Sequence, residues 1–333
     1  MNRIYKLLAF FAICFMAFNV AVGQTPGTGK PIGEIFADFH QKLDESTDIR
    51  TGFDINRAYV GYSYTLDNNF SVTIVADAAG RPNSIGGTSG RFASLRYAYV
   101  GWSKEKLAIS FGSTDTRIYF HQQRWWGKRY LAVPIQSLHG HGVVTDLGLV
   151  VDYKFSDVFS GDITVMNGEG YNVAQLDDNV KTSLGFTVTP DDRFIFRVYG
   201  DHYRVQNDRT DSLIMGKNQF TGVVFAGYKN KYFYVGAEAT FKTNVDEVSG
   251  TDSWGISTTN GIYLSEKSEL FFRYDYFRSN GRWDTRDGTF TIIGLQHTVS
   301  SNLKFTLNYQ GTYNYFNSVA NRNLIYLNAH FRF

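Results

Sequence analysis

The stretch RIYFHQQRWWGKRY sets Arg117, Arg124, Lys128 and Arg129 among Trp125, Trp126 and three further aromatic rings, with no acid inside it. The nearest carboxylates are Asp115 before it and Asp146 well after it. Cations interleaved with rings fit a nucleic-acid surface, where charges meet phosphates and rings stack on bases. Two other stretches carry candidate chemistry. His139-Gly140-His141 has the spacing of two metal ligands but no acid beside it to complete a set, so no metal is expected. Gly168-Glu169-Gly170 and GGTSGR at 86–91 are glycine-rich, yet neither leads from a strand into a helix, so neither reads as a phosphate cradle. Serines and histidines are present at no spacing that marks a nucleophile. Neither a cofactor nor an enzymatic activity is expected.

What these residues do depends on the elements that hold them. Arg3 and Lys6 precede LLAFFAICFMAF, and Ala21-Val22-Gly23 follows, the layout of an export signal over 1–23. Cys14 lies in that segment, but Phe11-Ala12-Ile13 is a poor lipid-attachment context and the apolar run continues past it. The rest of the chain, 24–333, has no cysteine, so disulfides are not its staple. A net charge of +2 gives no global cationic field and argues against a dedicated nucleic-acid binder. Aromatic residues make up 17% of the chain, the mean hydropathy is −0.26, and no later run approaches the roughly 18 apolar residues of a membrane helix. Such a chain is a soluble all-β protein or a transmembrane barrel whose lipid-facing residues are diluted by polar lumen residues.

The segment LIYLNAHFRF puts Ile325, Leu327, Ala329, Phe331 and Phe333 on one face and Tyr326, Asn328, His330 and Arg332 on the other. This period-2 alternation recurs, with charge at mid-strand opposite an unbroken apolar row, in LKFTLNYQGTY, ELFFRYDYF, YFYVGAEATF and RFIFRVYGD. About sixteen strands follow, at 33–43, 53–65, 69–79, 92–103, 106–115, 142–155, 158–167 and 179–189, then 192–204, 217–229, 231–242, 253–265, 267–278, 288–299, 301–313 and 321–333. Short turns and long links alternate strictly between them. A sandwich has no reason to segregate long loops at one end, whereas a membrane barrel has short periplasmic turns and longer extracellular loops. The expected fold is therefore an all-β, antiparallel transmembrane barrel over 24–333 with a water-filled lumen, in the bacterial outer membrane. Only about nine residues precede the first strand, which leaves no room for a plug domain.

Three stretches, NRAYVGYSYTLDNNFSVTIVAD at 56–77, LRYAYVGW at 95–102 and YKFSDVFSGDITVMNGEGY at 153–171, resemble porins of the phosphate-selective porin O/P-like family. The resemblance covers nearly the whole of 24–333 through strand-and-turn signatures. It implies a sixteen-stranded barrel, commonly trimeric, with the third loop folded into the pore, passing small hydrophilic solutes by diffusion. The family's phosphate-binding residues do not map one by one onto this chain. Partners implied are membrane lipid, lipopolysaccharide and the barrel assembly machinery, the last read through terminal Phe333; nucleic acid is not among them.

In that frame the longest link, 116–141, is the constriction, with Arg117, Arg124, Lys128 and Arg129 as its full charges. Arg57 and Arg96 are expected opposite it. Arg193, Arg197, Arg273, Lys304, Asp77, Asp162, Glu238 and Asp275 are expected on the pore wall, where charge at bilayer depth must face water. Two arrangements stay open. The cations form a ring favouring anions, or they pair with lumen acids such as Asp77, Asp146 or Asp275 and leave a neutral eyelet. Trp125 and Trp126 brace the loop or offer a stacking face to a sugar or other flat solute. The competing classes are a barrel adhesin or structural protein with a blocked lumen and a barrel enzyme with residues clustered at one rim.

Overall fold

A computed structural model describes residues 27–44, 50–78, 93–175, 178–204, 216–316 and 319–333. The expected export signal and the GGTSGR stretch lie outside them. Sixteen strands are present. β1 (Thr28–Lys42), β2 (Gly52–Thr65), β3 (Phe70–Asp77), β4 (Ser94–Lys104) and β5 (Leu107–Asp115) lead into the third long loop. That loop, 116–144, contains two short helices, α1 (Phe120–Trp126) and α2 (Ile135–Leu138). β6 (Thr145–Lys154), β7 (Phe159–Met166), β8 (Val180–Val188), β9 (Phe194–Arg204) and β10 (Gln219–Lys229) follow. β11 (Phe233–Thr243), β12 (Ser253–Tyr263), β13 (Ser268–Ser279), β14 (Gly288–Ser300), β15 (Leu303–Asn314) and β16 (Arg322–Arg332) complete the set.

Every strand pairs antiparallel with its sequence neighbours, and β1 closes on β16 through pairs such as Ala37 with Ala329 and Phe39 with Leu327. Closure satisfies every strand edge, which an apolar solvent demands. The alternation then sorts residues radially. Leu307, Leu327, Ile256 and Val198 are half exposed on the outside, while Arg197, Arg273 and Asp275 on the inward rows are at most 1% exposed. Phe333 stays exposed at the end of β16, and its N–H donates to the Gly33 carbonyl at 3.0 Å.

The two kinds of connection have different chemistry. The tight turns are closed by short polar side chains that accept backbone N–H groups two or three residues on. Asp67 accepts from Asn69 and Phe70, Asn230 from Tyr232 and Phe233, and Ser156 and Ser265 do the same in their turns. Arg193 belongs to such a turn, where Asp191 accepts its N–H and its guanidinium, and not to the pore wall where the alternation placed it. β9 begins one residue later, and Arg193 is exposed in the turn, its guanidinium 2.7 Å from Asp191. The Gly168-Glu169-Gly170 stretch is a loop entry: the N–H groups of Gly168 and Gly170, both at positive φ, donate to the Asp146 carboxylate.

Candidate pore constriction

The third long loop enters the barrel. Its root is fixed where the Thr116 hydroxyl donates to the Val143 carbonyl at 2.6 Å, opposite the start of β6. Arg117 does not point to an opening. It forms a two-pronged pair with Asp152 of β6 (2.9 and 2.7 Å), and its carbonyl accepts Arg197 of β9 at 2.8 Å. From there α1 runs to Gly127, whose positive φ of 68° ends the helix while its N–H donates back to the Gln123 carbonyl.

The loop then follows the inner wall of β10 to β16. Trp125 sits over Gly227 of β10 and Gly236 of β11, which pair directly across the sheet. A methyl at either position would come within 2.7 or 2.5 Å of the indole, so two glycines leave the notch that the ring fills. Its edge meets Phe225 and Tyr234 at 5.5 and 5.6 Å between ring centres. Trp126 lies beneath the Arg273 guanidinium at 5.0 Å. The tryptophans therefore brace the loop, and Trp125 also borders a small cavity. Each buried ring contributes on the order of 1.5–3 kcal/mol by removing apolar surface from water.

Beyond α1 much of the loop's polar chemistry is met by the wall. Lys128 pairs with Glu269 of β13 at 2.7 Å and donates to the Tyr234 hydroxyl at 3.0 Å. Burial pulls the Lys128 ammonium below its ordinary range, and Glu269 offsets part of that. The Tyr130 hydroxyl donates to Gln296 of β14 at 2.6 Å, and its ring stacks on His330 of β16 at 4.8 Å. Arg273 donates to the Val133 carbonyl at 2.8 Å. Gln136 of α2 donates to Glu238 at 2.7 Å. His139 stacks on Phe277 at 3.9 Å, and His141 bridges the Thr240 and Ser253 hydroxyls at 2.9 and 2.8 Å. The His-x-His pair is thus an anchor, and no metal-holding group is found among the described residues.

Wall cations are largely neutralised in place. Arg57 pairs with Asp77, Arg197 with Asp162 at 2.7 Å, and Arg273 with Asp275 at 2.5 Å. Arg96 approaches Asp115 at 3.7 Å. Asp146, a proposed partner for loop arginines, instead holds backbone N–H groups of the next long loop. Arg124 and Arg129 differ. Neither has an acidic partner among the described residues; Arg124 lies over the Phe120 ring at 4.3 Å. Burial pulls Arg129 below the usual guanidinium range; Tyr59 and Tyr119 resist that shift, while Arg96 and Arg57 add to it.

Between the loop and the β1–β5 side of the wall lies a cavity of about 540 Å³. Arg96, Arg124, Arg129, Lys304 and Arg332 border it, against Glu34 and Asp115. Both acids are engaged, Glu34 by His330 at 2.7 Å and Asp115 by the Tyr97 hydroxyl at 2.6 Å. A second cavity of about 170 Å³, bordered by Lys128, Lys229, Lys304, Glu269 and Trp125, shares Gly127 and Lys304 with the first. Of the residues the sequence assigned to the constriction, Arg96, Arg124 and Arg129 meet at the larger cavity and Lys128 and the tryptophans at the smaller. Arg57 and Arg117 border neither. Tyr59, Tyr97 and Tyr130 at the larger cavity escaped sequence reading. Tyr59 had a signal, since it lies two residues after Arg57 and so shares its inward face.

No protein-family model matches the chain, and no curated protein matches it. Solved structures do. OmpF of Salmonella typhi, in complex with daunomycin, aligns with a TM-score of 0.69 at 13% identity, over 92% of this chain and 98% of that one. OprB of Pseudomonas putida aligns at 0.67 and 9% identity, over 92% and 94%. OmpT, an outer-membrane-expressed protein of Vibrio cholerae, aligns at 0.64 and 15% identity, over 94% and 99%. With its closed sheet, apolar exterior and charged interior, the chain folds as a bacterial outer-membrane β-barrel.

Proposed function

We propose that the protein is an outer-membrane porin that passes small hydrophilic solutes by diffusion and prefers anions. The observation that carries this reading is the larger cavity, bordered by Arg124 and Arg129, which form no ion pair with an acid among the described residues. A fixed positive potential at a narrow, partly desolvated passage concentrates anions there and raises the barrier to cations. Selectivity is then assigned to those two side chains with Arg96, Lys304 and Arg332, while the paired cations hydrate and stiffen the wall. Phosphate belongs to the class of anions such a field admits, in line with the resemblance to phosphate-selective porins. Vibrio cholerae OmpT, of similar fold, has been solved in a trimer form, which supports a homotrimer here. Phe333, exposed at the end of the closing strand, is the proposed signal to the assembly machinery, with lipid and lipopolysaccharide around the belt.

Purified protein in a planar bilayer tests the reading. Stepwise conductance with a reversal potential on the anion side is expected. Absence of steps points to an adhesin or structural barrel, and hydrolytic activity without conductance points to a barrel enzyme.

A further inference from the structure

We infer that the larger cavity is a binding site for a ring-bearing carboxylate, with Arg96 and Arg129 taking the acid group and neighbouring aromatic side chains the ring. The inference rests on the porin reading and narrows its solute.

Three buried donors at this cavity have no partner: Nε of Arg96, Nε of Arg129 and the hydroxyl of Tyr59. Arg96 and Tyr59 are each only 6% exposed. Oε1 of Gln123 and Nδ1 of His330 on the same lining are also unpartnered. Buried donors left unmade are costly, and here they outnumber the one pure acceptor and call for a ligand that mainly accepts. The carboxylates already present do not meet the need. Asp115 stands 3.7 Å from Arg96 and is held by Tyr97, Glu34 is held by His330, and neither forms an ion pair with Arg129. Arg96 lies on the faces of Tyr59 and Tyr97, 4.5 and 4.9 Å from the ring centres. Stacked in that way, its planar fork keeps its edge for hydrogen bonds, the geometry that matches a planar carboxylate.

The rest of the cavity sets the body of the ligand. Phe36, Val75 and Tyr130 line it beside those donors. A volume of about 540 Å³ lies in the range of sites for small organic molecules. Inorganic phosphate would occupy one corner and leave the apolar faces against water. An acid carried on a ring with an apolar face satisfies the donors and covers those faces together. Aromatic acids and acidic sugars share this chemistry.

The test uses the full-length barrel in detergent, by calorimetry, and in bilayers, by block of chloride current, with benzoate, glucuronate, phosphate and glucose as probes. At least one acid is expected to bind at a concentration tenfold or more below phosphate, with glucose inert. Benzoate ahead of glucuronate assigns an aromatic acid, and the reverse assigns an acidic sugar. Arg96→Gln should weaken binding at least tenfold. Tyr59→Phe, which removes only the hydroxyl, should weaken it a few-fold and serves if the first variant does not fold. Phosphate binding as tightly as either acid, no binding of either acid, or unchanged affinity in the folded variants overturns the inference. Anion-selective conductance without acid binding sinks this inference and leaves the porin reading standing. Acid binding without conductance does the opposite.

Discussion

Acidification from pH 7 to 5 should loosen the third loop from the wall at its α2 end. His139 and His141 are seated there as neutral rings, one stacked on Phe277 and one bridging two hydroxyls. Burial is the main cause that holds His139 down to about 4 and His141 to about 3, against an ordinary 6.5. Around His139, Asp275 and Asp284 pull upward while Arg286 and Arg273 push down; Lys242, His139 and Arg286 push His141 down. The unseated loop therefore binds more protons than the seated one. Seating is fully supported above pH 6.5, weakens as pH falls, and loses this contribution through the seated values near 4 and 3. At pH 5 each ring lies about 1.5 pH units below its free value, so each costs about 2 kcal/mol and the pair about 4. His121 on α1, also held to about 3 by burial and then by Arg197, Arg117 and Arg124, acts in the same direction. Four kcal/mol rivals the burial of one or two anchoring rings, so α2 should lift before Trp125 leaves its notch. Single-channel recordings between pH 7 and 5 should show rising gating noise and altered conductance. His139→Phe with His141→Gln keeps the stack and one hydroxyl contact and should remove most of the dependence. A wild-type channel indifferent to this range, or a double variant with the same dependence, would refute the reasoning.

Three further expectations follow from the anchors and the free cations. Gly227→Val or Gly236→Val puts side-chain atoms where the Trp125 indole lies and should cost about 1–3 kcal/mol of loop seating, seen as a red-shifted tryptophan emission and a changed conductance. Glu269→Gln leaves the Lys128 ammonium buried without its counter-charge and should destabilise by about 3–5 kcal/mol in urea unfolding, whereas Arg193→Gln, on an exposed turn, should be nearly silent. Arg129→Gln relieves a guanidinium crowded by Arg96 and Arg57, so it should reduce anion preference without lowering the midpoint of unfolding.

The barrel was legible because a membrane wall imposes a period of two that charge at mid-strand makes visible. In β13 the row Arg273 and Asp275 against Phe272 and Tyr274 announces which side is wet. The alternation of tight turns with long links then gave the topology, since most of the tight turns carry an Asp, Asn or Ser cap. Arg193 was misplaced because a side chain at a strand end obeys the turn, here Asp191, and not the pleat. The charges of 117–130 were legible as a loop in a lumen, but their partners were not. Lys128 meets Glu269 and Arg117 meets Asp152 only after strand tilt and closure bring distant rows together, which local spacing does not encode. The helices inside the loop left faint marks, Gly127 at the end of α1 and Pro134 before α2, too short for periodicity to register.

The most direct test of the central claim is the reversal potential of the purified channel in a tenfold potassium chloride gradient, measured for the wild type and for Arg124→Glu with Arg129→Glu. The wild type should reverse on the chloride side and the double variant should move toward potassium. A wild type that reverses on the potassium side, or a double variant unchanged from it, would contradict an anion filter at this cavity.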